Sequence, residues 1–335
     1  MQPLEFQPVL KRARWGGRRL GTVLGKPIGL EADYAESWEI ADLAARHVRL
    51  QPAASNVGDE SFVARGEFAG WPLSRLVAER NAELFGRQSG LEQFPLLVKF
   101  LDANDRLSVQ VHPDDQRAQR LDPPANGKTE AWIIIGDRPG GVVYAGLNEG
   151  VDRGALRRAV EDGTVDQCLH RIPVLAGDCV FIPAGTVHAI GEGLLLAEIQ
   201  QPSDVTFRLY DWGRVDADGQ PRPLHVEEAL ECTDFARGPI DPVEPALLQV
   251  GDHRIEELVR CPYFELRRHV TRHEFTIPAV DHFRVLMMLH GHARWQCGGD
   301  EREFPHGRTV LVPAAAPQVR IVPQSEVHLL EAFVP

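Results

Sequence analysis

Two histidines and a glutamate carry the chemistry this sequence can be expected to perform. His188 closes the run Gly177-Asp-Cys-Val-Phe-Ile-Pro-Ala-Gly-Thr-Val-His188, which fits G-x5-P-x-G-x2-H. Gly177 and Asp178 predict a turn. Val180 and Ile182 alternate as a half-buried strand. Pro183-Ala-Gly185 predicts a second tight turn, since proline fixes its own φ and glycine accepts a positive one. The turn then places the imidazole at the start of the next strand. His112 ends Leu107-Ser-Val-Gln-Val-His, where Ser108, Gln110 and His112 share one face and Leu107, Val109 and Val111 the other. Glu130 shares a face with Lys128 and Trp132. A charged pair two residues apart is ordinarily solvated, but Ile133-Ile-Ile135 follows and makes an inward orientation credible. Two imidazoles and a carboxylate form a normal ligand set for zinc with an open position. Gln110 would add a weaker oxygen ligand.

The elements needed to hold these side chains are mostly strands. Phe94–Phe100, Leu107–Val111, Glu130–Ile135, Gly141–Ala145, Cys179–Ile182, Leu194–Gln200 and Val205–Tyr210 read as strands bounded by Gly, Pro, Asn and Asp turns. In the last of these Thr206, Arg208 and Tyr210 should share a face, opposite Phe207 and Leu209. Helices are expected at Pro72–Phe85, at Asp152–Asp162 with Asp152 as cap, and at Leu224–Cys232. Gly307-Arg-Thr-Val-Leu-Val-Pro313 repeats G-x5-P, with Ala315 in place of the glycine and Gln318 in place of the histidine. A second β-domain that has lost its ligand is therefore expected over 244–335, after a catalytic domain over 1–243 whose last part, from Gly213, is a linker.

The 335 residues are 43% hydrophobic and 25% charged, enough for two ordinary cores. The net charge of −12 argues against a nucleic-acid partner, which needs a basic footprint. It leaves room for a small anionic ligand in a cleft with a few focused cations. No apolar run is long enough for a membrane span, and the N-terminus lacks the pattern of a signal peptide. Cys168, Cys179, Cys232, Cys261 and Cys297 are odd in number and form no CxxC pair, as expected of reduced thiols in the cytoplasm. No phosphate loop or nucleophile elbow is present.

The G-x5-P-x-G-x2-H run is similar to the second-half motif of the cupin barrel, where the histidine is usually a metal ligand. The fold class expected is mainly β, with two cupin (jelly-roll) β-barrel domains and helical insertions. Common cupin oxygenases use H-x-H followed closely by a glutamate. Here Gln110-Val-His112 is followed by the glutamate only 18 residues later, which disfavours that alternative.

Longer stretches resemble a narrower family. Leu97-Val-Lys-Phe-Leu-Asp-Ala-Asn-Asp-Arg-Leu-Ser-Val-Gln-Val-His-Pro-Asp-Asp115, Lys128-Thr-Glu-Ala-Trp132, Pro183-Ala-Gly-Thr-Val-His188 and Gln201-Pro-Ser-Asp-Val-Thr-Phe-Arg-Leu-Tyr-Asp211 are similar to type I mannose-6-phosphate isomerase in its short bacterial form. Trp15-Gly-Gly-Arg-Arg-Leu20, Glu36-Ser-Trp-Glu39 and Leu224-His-Val-Glu-Glu-Ala-Leu230 extend the likeness over most of residues 12–232; the last hundred residues match only in general character. The resemblance implies a zinc enzyme, one ion per chain, that interconverts mannose 6-phosphate and fructose 6-phosphate through a cis-enediol. It puts the metal ligands on His112, Glu130 and His188, with Gln110 as a fourth, and an active-site arginine on Arg208. Lys128 and Glu198 are the candidates for the proton-shuttling base. Arg208, a permanent cation, is expected to serve either the enediolate or the phosphate. Ser108 and Lys99 are candidate phosphate-holding residues. A non-catalytic sugar-binding bicupin is a further alternative, which the retained Lys128, Glu130 and Arg208 argue against. The oligomeric state is not legible.

Overall fold

A computed structural model describes residues 1–43, 59–138, 140–215 and 218–335. Its strands form two barrel-like sandwiches in series. In the first, a six-stranded sheet runs Cys179–Ile182, Glu130–Gly136, Leu194–Gln200, Leu97–Ala103, Tyr34–Ile40, Val9–Gly17. It faces a five-stranded sheet ordered Leu169–Pro173, Val142–Leu147, His188–Ile190, Val109–Val111, Phe207–Tyr210. The pairings between these strands are antiparallel, so one face of each sheet can meet water or helices while the other fills the sandwich.

Alternation divides the side chains between two environments. On Leu97–Ala103, Val98 and Phe100 pack outward against the second half of the chain. Leu101 and Ala103 pack inward with Trp132, Ile134, Val180, Ile182 and Leu196. Lys99, Glu130 and Glu198 keep the inward phase of these strands, so they must be enclosed by the barrel. On the five-stranded sheet, Val109, Val111, Ala189, Phe207 and Leu209 face out against the helices Arg153–Glu161 and Val226–Cys232. Asp152 caps the first of these helices through the amide of Ala155, as its sequence predicts.

The second sandwich has a six-stranded sheet ordered Ala246–Gln249, His253–Arg260, Glu265–Thr271, Val327–Phe333, Arg284–His290, Thr309–Val312. A four-stranded sheet runs Phe275–Ile277, Val319–Pro323, His292–Cys297, Asp300–Pro305. The G-x5-P repeat has a structural counterpart: Thr309–Val312 edges its sheet as Cys179–Ile182 edges that of the first sandwich. Gln318 is exposed and immediately precedes its strand, whereas His188 is the buried first residue of its own. Phe85, Phe94 and Phe283 form an aromatic cluster joining the halves, with centroids 4.8–6.1 Å apart. We propose the boundary between the two sandwiches at 243/244. The amide of Val243 still bonds Cys179 of the first sandwich, and the strand Ala246–Gln249 joins the second. Within the expected linker, residues 216 and 217 lie outside the described ones.

Two local expectations change. Pro72–Phe85 is not one helix but two, Leu73–Glu79 and Asn81–Phe85, broken at Arg80. The side-chain amide of Asn81 donates to Val77 O and Leu91 O, competing with continued helix. Tyr210 does not follow Arg208 inward. The ladder slips between Arg208 and Tyr210, and the phenol instead reaches Gly163 O on the helical side.

Candidate metal centre

The turn predicted between Ile182 and His188 forms with Gly185 at φ +84°, and its amide donates to His112 O at 2.8 Å. The glycine turn therefore ties the loops of both histidines together. His188 pairs in register with Gln110, and Gln110 with Arg208, so the three lie side by side on adjacent strands. Glu130 comes from the opposing sheet.

Both imidazoles are oriented by backbone carbonyls. His112 Nδ1 donates to Val205 O at 2.8 Å, and His188 Nδ1 donates to Thr186 O at 2.9 Å. This fixes the tautomer and leaves each Nε2 as a lone pair directed into the barrel. The two Nε2 atoms straddle one carboxylate. His112 Nε2 stands 3.5 Å from Glu130 Oε2 and His188 Nε2 3.4 Å from Oε1. Exposure is 1% or less for all three residues. Burial pushes the His112 pKa down to about 3, aided by the charge of Lys128, and burial also lowers that of His188. Burial alone would raise Glu130, but the ammonium of Lys128 holds it well below the usual carboxylate range. Neutral imidazoles and an ionised carboxylate are the forms that ligate a divalent cation. Their ligand atoms all lie within 4.8 Å of one another. Glu130 Oε2 also lacks a well-angled hydrogen-bond donor, although Lys128 Nζ stands 2.8 Å away. The donor set thus fits a cation. Gln110 is half-buried, its side chain 3.3 Å from His188 Nε2.

A ladder of alternating charge runs from this triad into the barrel. Lys128 Nζ lies 3.1 Å from His112 Nε2 and 4.0 Å from Glu198 Oε1. Lys99 Nζ lies 3.4 Å from both Glu198 Oε1 and Glu36 Oε2, and Trp38 Nε1 donates to Glu36 at 2.6 Å. Burial would depress Lys99, but Glu36 and Glu198 raise it. Burial and the charge of Glu130 push Glu198 up to about 7, against the pull of Lys99 and Lys128. Arg208 is 3% exposed, its Nε 3.3 Å from Ser108 Oγ and its Nη1 donating to Pro223 O at 2.9 Å. Burial, then Arg222, lowers it to about 10, so it remains a cation near neutrality.

All nine residues singled out from the sequence are thus placed on the inner side of one sandwich. Glu36 was not among them. Its partner lies 63 residues further along the chain, and its one local sign is the Glu36/Trp38 alternation.

Residues 4–130 match phosphomannose isomerase type I, catalytic domain. Over 317 residues the chain is 34% identical to mannose-6-phosphate isomerase ManA of Bacillus subtilis, covering 93% of each. It is 33% identical over 312 residues to mannose-6-phosphate isomerase of Streptococcus mutans, covering 93% of this chain and 92% of that one. The fold superposes on the crystal structure of the mannose 6-phosphate isomerase from Bacillus subtilis with a TM-score of 0.87 over 100% of both chains, at 28% identity. A crystal structure of the Salmonella typhimurium mannose 6-phosphate isomerase shares the fold with a TM-score of 0.73, covering 100% of this chain and 99% of that one, at 13% identity.

Proposed function

The chain belongs to the type I phosphomannose isomerase family and is a mannose-6-phosphate isomerase; we propose that it works through a cis-enediol with a zinc ion held by His112, Glu130 and His188, and with Gln110 as an added oxygen ligand. One observation carries this reading. Two imidazoles, each fixed by a carbonyl, present lone pairs to the two oxygens of one buried carboxylate.

A cation there would act as a Lewis acid toward the sugar's carbonyl and hydroxyl oxygens, making the neighbouring C–H acidic. The chain's own groups do the rest. Isomerisation removes the proton at C2 of mannose 6-phosphate and delivers one to C1, while a hydroxyl proton passes from O2 to O1. We assign the carbon-bound proton to Glu198. Its carboxyl titrates near neutrality, so it can both take and return a proton, and Lys99 and Lys128 hold it in place. Lys99 then has its charge matched by two carboxylates and serves Glu198 rather than the phosphate. Lys128 is the cation nearest the ligands and faces the sugar oxygens. Arg208 with Ser108 stabilises the negative charge that grows on the enediolate. The substrate is a small sugar phosphate, and cytoplasmic action agrees with five free, unpaired cysteines. Among the described residues no helix is long and apolar enough to cross a membrane.

Elemental analysis of His188→Ala tests the ligand set: near-complete loss of zinc is expected, and stoichiometric zinc would overturn it.

A further inference from the structure

The loop that carries Lys128 is held from outside its own barrel. Tyr263 sits in the turn between His253–Arg260 and Glu265–Thr271, on the second sandwich. Its phenol donates to Asp115 Oδ2 at 2.8 Å, a contact between residues 148 apart in sequence. The other oxygen, Asp115 Oδ1, accepts from Gly127 N at 2.9 Å and from the side-chain amide of Gln201 at 3.0 Å. Gln201 Oε1 in turn accepts from Thr129 N at 2.8 Å. The amides on either side of Lys128 are therefore tied to one carboxylate, one directly and one through a glutamine. Gly127 is the residue this approach requires, because a Cβ there would lie 2.7 Å from Asp115 Oδ1 and 2.6 Å from its amide.

We propose that Tyr263 of the second sandwich is a positioning residue for the isomerase reaction, locking Asp115 and through it the ammonium of Lys128 against the catalytic ligands. The proposal rests on the reading of Lys128 as part of the reacting site. It gives the second barrel a task in catalysis. Thr129 is also fastened within the first barrel, where its hydroxyl accepts from Ala184 N and its carbonyl from Gln201 N. On the other side the amide of Lys128 itself donates to Pro113 O at 3.0 Å and that of Gly127 to Asp115, whose second oxygen Tyr263 occupies. Charge-assisted bonds of this kind are the stronger ones. Burial and the bond to Asp115 raise the phenol's pKa to about 12, so it stays a donor across the working range.

Tyr263→Phe keeps the ring and removes the bond. Measured on zinc-loaded protein, kcat should fall about tenfold with KM within about twofold, on the scale of a lost hydrogen bond to a charged group. Zinc content should stay at one per chain, and the thermal midpoint should fall by no more than a few degrees. In a Lys128→Arg background, which already misplaces the cation, Tyr263→Phe should cost little more. Equal losses in both backgrounds, a change in KM alone, or no loss at all would overturn the latch. Full activity of Lys128→Arg would instead overturn the reading of Lys128 beneath it.

Discussion

Arg208→Ala should slow the reaction without emptying the metal site. Arg208 is two strands from His188 in register, with Gln110 between them. At about 4.8 Å per strand the backbones are about 10 Å apart, a gap that a hexose phosphate bridges. Two of the guanidinium's nitrogens are engaged by Ser108 and Pro223 O, and no partner for the third is found among the described residues. That free edge, on a buried cation, is what a developing enediolate would meet. Removing one preorganised donor of this kind costs about 2.7–4 kcal/mol. We expect the lower end, because Arg222 and Arg214 leave positive potential behind. At about 1.36 kcal/mol per decade, kcat should drop about 100-fold. Arg208→Lys keeps the charge but cannot hold Ser108 and Pro223 O and still present a free edge, so it should not be mild. The assay is coupled formation of fructose 6-phosphate, with zinc measured on the same samples. A raised KM with intact kcat would make Arg208 a phosphate binder, and no change in either would place it outside the site.

Phe283→Ala, in the aromatic cluster between the sandwiches, should cost about 3–5 kcal/mol in chemical denaturation while leaving kcat of the folded enzyme unchanged; a cost below about 1 kcal/mol would refute the shared core. Metal-stripped protein should lose thermal stability as pH falls below 6.5, because the unfolded chain protonates His112 there and the folded chain does not until about pH 3. Glu198, raised to about 7, works the opposite way above its unfolded value near 4.5, so the decisive comparison is with His112→Gln, whose slope below pH 6.5 should be shallower. An identical slope in the two proteins would contradict the buried neutral imidazole.

Much of the site was legible because its parts follow strand period and turn chemistry. Pro183 and Gly185 make a turn that only a few residue types tolerate, and it delivers His188. Alternation sent Ser108, Gln110 and His112 to one face and Lys128 and Glu130 to another, and both faces prove to be the inner ones. The failures are where one local irregularity defeats a period. The slip after Arg208 turns Tyr210 outward, and Asn81 ends a helix whose apolar pattern continues past it. What no local pattern could reveal is pairing at long range. Lys99 is balanced by Glu36 from a distant strand, and Asp115 is held by Tyr263 from the other sandwich. Each of these residues looks like an ordinary surface charge or turn tyrosine in its own neighbourhood.

The central claim is that this barrel isomerises mannose 6-phosphate with one zinc held by His112, Glu130 and His188. The most direct test follows fructose 6-phosphate formation from mannose 6-phosphate by chelator-stripped protein as zinc is added back. Activity should vanish on stripping and return in proportion to zinc, reaching its plateau at one ion per chain. Full turnover by the stripped protein, or activity that does not track the zinc bound, would contradict it.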